Sequence, residues 1–234
     1  MRLNPTAPTL IDTLVPGTSA VRNVALVVGF SFFVAVFAQI AIRLPFTTVP
    51  ITGQTLAVLL AGGALGANRG AAALALYVVW AAIGIPVFAP SGASLEGELV
   101  HFILPWEGSS GFIWSITSGG YIAGFVLAAY VVGRLAERGW DRGWKVTVAM
   151  LAANAQVYAL GLLWLGYVIA SGTLDDELGF DLAAVLPGGN TLDKTLIAGF
   201  YPFIAGDLIK LYIAAMALPG AWALFGRSRR NQQR

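Results

Sequence analysis

An all-α integral membrane protein with six transmembrane helices and both termini in the cytoplasm is the fold class this sequence predicts. Three observations lead there. Of 234 residues, 57% are hydrophobic and only 11% are charged, whereas soluble domains carry roughly 25% charged residues. The apolar residues gather into six runs, which suits helices of about 20 residues crossing a bilayer. The connections between those runs alternate in charge, as cytoplasmic loops rich in Lys and Arg do. The expected organisation is a cytoplasmic N-terminal tail over residues 1–20, a six-helix membrane domain over 21–225, and a basic cytoplasmic C-terminal tail over 226–234. The tail before the first run is polar and Pro-containing, unlike a signal peptide.

The first run, "VALVVGFSFFVAVFAQIAI" over residues 24–42, is closed by Arg43. Next comes "RLPFTTVPITGQT", with two Pro, four Thr and one Gly. The second run, "LAVLLAGGALGA", holds 12 residues, and at about 1.5 Å per residue it falls short of a hydrocarbon core of roughly 30 Å. Irregular backbone at membrane depth persists only where it is buried in protein or lines a cavity. The Thr/Pro/Gly segment is therefore either an irregular cavity wall before span two or a surface loop before a thin helix. The third run is "GAAALALYVVWAAIGIPVFA".

A long outer loop follows, from Pro90 to about Ser118, carrying Glu96, Glu98 and Glu107 beside "FILPW" and "GFIWSI". A solvated loop has no need of such apolar pieces, so a lid or a short interfacial helix is expected there, with Trp106 and Trp114 suited to the membrane interface. The fourth run, "GGYIAGFVLAAYVVG", leads into the basic stretch "RLAERGWDRGWK". The fifth covers residues 146–170, and the sixth runs from about Leu196 to about Phe225.

Charge orients these runs. Arg2, Arg22, Arg69, Arg134, Arg138, Arg142, Lys145, Arg227, Arg229, Arg230 and Arg234 fall on one side. The other side has Arg43 and Lys194 as its basic residues, with eight of the twelve acids: Glu96, Glu98, Glu107, Asp175, Asp176, Glu177, Asp181 and Asp193. The formal net charge of +2 follows from this loop pattern and does not call for a nucleic-acid partner. A multi-pass protein of the inner (plasma) membrane is expected, in contact with the lipid bilayer.

The sixth run contains "GDLIK". Residues three apart share a helix face, so Asp207 and Lys210 project together. A charge at the bilayer centre costs about 2.5–3.5 kcal/mol on insertion scales, and two on one helix must face protein, water or a ligand. Pro202 suits a helix start, which places the pair one to two turns inside a half-helix in the outer half of the membrane. The pair is then an internal salt bridge between helices or one wall of a polar ligand site reached from outside. A proton relay usually needs several carboxylates, and no other span has Asp or Glu.

Gln54, Asn154, Gln156 and Tyr158 are the other polar residues singled out in apolar runs, with Asn154 and Tyr158 on one face. Each joins helices by hydrogen bonds or meets a ligand head. Phe46, Tyr121, Trp164 and Tyr201 are candidate aromatic walls. Catalysis has little to draw on. With no Cys and the single His101, neither a thiol nucleophile nor a His/Cys metal site is available. No Walker A sequence is present, and "GGYIAG" lacks the strand–helix context of a dinucleotide loop. No cofactor and no metal is expected, and no enzyme activity.

Residues 49–89, "VPITGQTLAVLLAGGALGANRGAAALALYVVWAAIGIPVFA", closely resemble the BioY family of biotin transporter substrate-binding subunits, the S components of energy-coupling factor transporters. "SGGYIAGFVLAAYVVGRLAER" is similar to that family's fourth span and "FYPFIAGDLIKLYIAAMALP" to its last, with the match in register over residues 24–220. The resemblance implies six helices that bind biotin from outside, partnered by a membrane coupling subunit and a cytoplasmic ATPase pair, and thought to topple in the membrane; some members are proposed to act without the ATPases. It places the family's Asp and Lys on Asp207 and Lys210, and its "ITGQT" segment on Thr52, Gly53 and Gln54. Asn154, Tyr158, Tyr121 and Trp164 complete the expected ligand set.

The chain also departs from the family. Where the family has Gly-Gly-Arg-Gly after span three, this sequence reads "APSGASLEGE", without Arg. Arg43 or Lys210 then substitutes at the biotin carboxylate, with His101 a third candidate. "ITSGGY" replaces the family's GPTGGY, and the small-residue coupling face on span one is matched by Ala25-x-x-x-Gly29, which allows close helix approach. The same scaffold holding another small vitamin is the alternative ligand, and a purely structural Asp207–Lys210 pair the alternative role.

Overall fold

The computed structural model of the chain describes residues 8–90 and 99–232. Arg2, Glu96, Glu98 and most of the "APSGASLEGE" segment lie outside the described residues, as do the side chains of the basic tail.

The molecule is mostly helical. A one-turn helix α1 (Leu10–Leu14) precedes α2 (Ala20–Ala38), which is capped by the Ser19 hydroxyl accepting from the Arg22 amide. Strands β1 (Ile40–Ile42) and β2 (Ile51–Thr52) form an antiparallel pair, then α3 (Gln54–Leu65) and α4 (Ala67–Ala82) follow with Gly66 as their joint. Strand β3 (Val100–Phe102) adds to the other edge of β1, giving the order β2-β1-β3. Then come α5 (Gly119–Ala136), α6 (Lys145–Ser171), the short helices α7 (Asp175–Leu178) and α8 (Leu182–Val185), α9 (Thr191–Gly199) and α10 (Ile204–Gln232).

Among the described residues, four helical stretches are long and apolar enough to cross a membrane: Ala20–Ala38, Gly119–Ala136, Lys145–Ser171 and Thr191–Phe225. Helix α3 is shorter, with 12 residues, and α4 has 16. The reason is local. Gly66 sits at φ 85°, a conformation that side-chain-bearing residues avoid, and it turns the chain back at once. The buried amide of Ala67 at the start of α4 is met by Glu137 Oε1 at 2.8 Å, a carboxylate delivered from beyond α5.

Small residues set the helix packing. Gly120 and Gly124 on α5 face Trp164, Leu160 and Val157 on α6, and Gly62 on α3 faces the backbone of Ala129 on α5. Where hydrophobic driving force is weak, such close backbone approach is what lets membrane helices associate. The fully buried centre includes Val58, Leu59, Leu74, Tyr77, Met150 and Leu165.

The structure differs from the sequence expectation in three places. Ile40–Ile42, read as the end of the first run, form β1, with β2 contributed by the segment read as an irregular wall or loop. The long loop, read as a lid or short interfacial helix, contributes β3 as well as one helical turn over Ile113–Ser115. Residues expected in the N-terminal tail form α1, whose Leu10 is buried. Asp12 anchors it, accepting from Arg22 Nη2 at 3.0 Å and from Arg69 Nη2 at 2.6 Å.

Candidate functional site: a cavity around the Asp207–Lys210 pair

The chain between α9 and α10 is interrupted by a tight turn over Tyr201–Phe203, with Pro202 in its first positions. Proline has no amide hydrogen and a fixed φ, so it opens a helical segment well and continues one badly. Helix α10 therefore restarts at Ile204, and Asp207 falls in its first turn. That restart brings the Asp207 carboxylate up against α6.

Both carboxylate oxygens are engaged. Oδ1 accepts from Lys210 Nζ at 2.7 Å and Oδ2 accepts from the Tyr158 hydroxyl at 2.6 Å. Asp207 is 7% exposed. A buried carboxylate is tolerable only when paired and hydrogen-bonded, and this one has an ammonium on its own helix and a phenol from a neighbour. The pair thus joins α10 to α6 through Tyr158, yet its members also line a cavity of about 250 Å³. An ion pair used only to join helices would have no reason to border empty space.

Four elements and the segment before α3 build the other walls. Thr48, Thr52, Gln54 and Thr55 supply polar groups, with Ser115 and Ser118 at the entrance to α5. Tyr121, Ile122 and Phe125 of α5 supply the apolar floor with Val157 and Phe203. Glu177 and Leu178 of α7 also line the cavity. Gln54 is fixed at both ends of its amide: Oε1 accepts from the Thr52 hydroxyl at 2.9 Å and Nε2 donates to Tyr77 at 2.7 Å. Tyr121 donates to the Gly199 carbonyl at 2.8 Å and meets Tyr158 edge-to-face at 6.3 Å between ring centres.

The structure gathers Asp207, Lys210, Gln54, Thr52, Tyr158 and Tyr121 on one cavity. Other residues expected at the site are elsewhere. Gly53 packs against the Phe37 backbone and turns the chain into α3. Trp164 donates from its indole to the Ile116 carbonyl at 2.9 Å, holding the segment that leads into α5. Asn154 lies one turn from Tyr158 along α6, outside the cavity lining, with its Oδ1 buried and without a partner among the described residues. Arg43 stands at the end of β1, 3.8 Å from Glu107, and is not on the lining. Phe46 and Tyr201 are exposed, and the aromatic lining comes instead from Phe88, Phe125 and Phe203 beside Tyr121.

His101, the third candidate for the biotin carboxylate, is not on the cavity lining; it is only 3% exposed, with Nδ1 3.4 Å from Glu107. Ala25 and Gly29 border a separate apolar groove between α1, α2, α3 and α10. Sequence reasoning offered the segment holding Thr48 and Thr55 as a cavity wall without singling out those two residues, and it missed Tyr77. Tyr77 had a usable signal, a phenol in the middle of an apolar run.

Residues 9–227 match the BioY family. The chain is 31% identical over 187 residues to a protein of Thermotoga maritima named biotin transporter BioY, covering 80% of this chain and 88% of that one. It is 33% identical over 183 residues to a Rhizobium etli protein of the same name, covering 75% and 79%. Among solved structures, the S-component for biotin from an ECF-type ABC transporter superposes with a TM-score of 0.60 at 19% identity, over 87% of this chain and 93% of that one, a likeness of fold.

Proposed function

This chain belongs to the BioY family, and from that premise we propose that it is the substrate-binding membrane subunit of a biotin uptake system, an S component of the energy-coupling factor type. It is a multi-pass membrane protein and a transport protein, not an enzyme. Biotin enters from outside into the cavity bordered by Asp207 and Lys210, in the outer half of the membrane. Asp207 keeps lone pairs beyond those given to Lys210 and Tyr158 and accepts ureido N–H groups there. Lys210 is the one cation among the described lining residues and acts as donor or counter-charge. Thr52, Gln54 and Tyr121 shape the walls.

In this reading α2, α3, α4, α5, α6 and the α9–α10 unit are the six spans of a membrane domain over residues 21–225, with both terminal tails cytoplasmic. Ala25 and Gly29 face a membrane coupling subunit, and a cytoplasmic ATPase pair drives delivery. The observation that carries the proposal is the position of the ion pair on a cavity wall rather than wholly within a helix seam.

Purified protein in lipid nanodiscs tests it by calorimetry. Biotin should bind, and thermal stabilisation by thiamine or riboflavin in its place would overturn the ligand. That second reading has one observation in its favour, since no Arg lines the described cavity. Asp207→Asn should weaken binding roughly 10- to 100-fold, the scale of a hydrogen bond to a charged group, while the apo melting temperature holds. An equal loss of melting temperature with and without ligand would return the pair to a structural role.

A further inference from the structure

The sheet on the outer side has its polarity reversed. Antiparallel sheets in water put apolar residues inward and polar ones outward. Register pairs Ile42 with Val100, Ile40 with Phe102 and Ala41 with His101, so the first four residues share one face and the last two the other. The outward face carries Ile42 at 40%, Val100 at 60% and Phe102 at 67% exposure. The inward face holds His101 at 3%, near Glu107, which in turn receives Arg43. Here the imidazole of the strand is turned toward protein, with the exposed Glu107 and partly buried Arg43 at its rim, while the aliphatic and aromatic groups are turned toward the surroundings. That arrangement is stable only if the surroundings are apolar.

The level of the sheet says which apolar medium. Helix α2 has 19 residues, about 28 Å at 1.5 Å per residue, close to the roughly 30 Å of hydrocarbon. Strand β1 begins two residues after α2 ends, at the outer boundary of the bilayer. The exposed apolar side of α2, with Val24, Phe32 and Val36, continues upward into Ile42. Beyond β3, Leu104 is exposed, and the stacked Phe112–Trp114 pair supplies aromatic rings of the kind that settle at headgroup level. A sheet edge cannot lie in the hydrocarbon interior with its backbone groups unpaired, so the strands sit at the interface and only their outward side chains reach the acyl region.

We propose that the outer insertion around β3 is a lipid-interface anchor, its Ile42–Val100–Phe102 face resting on the outer leaflet at the headgroup–acyl boundary. It fixes the height of β1 and β2, and through β2 the height of the cavity-lining Thr52 and Gln54. The inference does not depend on which ligand the cavity takes.

The chain has no Cys, so single-cysteine labelling is clean. Phe102→Cys is labelled with a small fluorophore in nanodiscs, beside Phe32→Cys on α2 as a lipid-facing reference and Asp176→Cys in α7 as an aqueous one. Quenching by lipids brominated near the headgroup should be several-fold stronger at position 102 than at 176 and comparable to that at 32. Aqueous iodide should give the opposite order. Iodide reaching position 102 freely would overturn the proposal, and so would protection from both quenchers, the sign of a protein partner or a second copy. Val100→Cys gives the same readout if the first variant does not fold.

Discussion

Tyr158 is a residue whose role changes once its partner is seen. Its hydroxyl donates to Asp207 Oδ2 while Lys210 takes Oδ1, so the carboxylate is held from two directions and presents its remaining lone pairs to the cavity. Tyr158→Phe should lower biotin affinity about five- to tenfold, the effect of one hydrogen bond of about 1 kcal/mol, with little change in apo melting temperature; calorimetry and a thermal scan check both. In α1, Asp12 is held well below the usual carboxylate range by Arg69 first, with Thr9 and Arg22 adding to it against the opposing effect of burial. A depressed folded value means that the stabilisation is fully present above the unfolded value near 4 and is lost as pH falls through the folded one. The melting temperature of the parent protein should therefore exceed that of Asp12→Asn by a constant margin at neutral pH, worth about 1–2 kcal/mol after allowing for solvent exposure, and the margin should shrink below about pH 4. Asp207 and Lys210 stood out in the sequence because charge in an apolar run is costly. Ile122, Phe125 and Val157 did not, since uncharged residues in such runs look the same whether they pack a core or line a cavity.

Elements are separated by how local their causes are. The apolar runs, the break at Pro202 and the placement of Asp207 just after it follow from side chains close in sequence, and they were legible. The three-stranded sheet was not. Its strands are two or three residues long and owe their form to pairing between residues as remote as Ala41 and His101. Helix α1 was hidden for a related reason, since its single turn is held by the burial of Leu10 and by the reach of Arg22 and Arg69 to Asp12. The α3–α5 contact rests on Gly62, where an added Cβ would stand 2.5 Å from the Ala129 carbonyl oxygen. Gly62→Ala should cost about 1–3 kcal/mol by overpacking, seen as a lower melting temperature in nanodiscs. Gly29 on α2 has nothing within 4 Å of the same construction, so its substitution tests contact with a partner rather than folding.

The bundle carries an apolar groove on its α2–α10 side and, separately, the cavity around the Asp207–Lys210 pair. Gly29→Leu should leave biotin binding intact and abolish co-purification with the coupling subunit; retained co-purification would move the coupling face elsewhere. In cells lacking that subunit and the ATPase pair, the chain should bind radiolabelled biotin without accumulating it inside. The charged pair has one more consequence, and it is electrical. Asp207 and Lys210 sum to zero charge, so an ionised carboxylate ligand leaves the loaded pair with one net negative charge. Moving one elementary charge through 100 mV takes about 2.3 kcal/mol, and an interior-negative cell opposes entry of an anion. Binding at the outer face should thus be nearly blind to voltage, while inward delivery should slow as the interior becomes more negative, measurable in proteoliposomes set to defined potassium potentials.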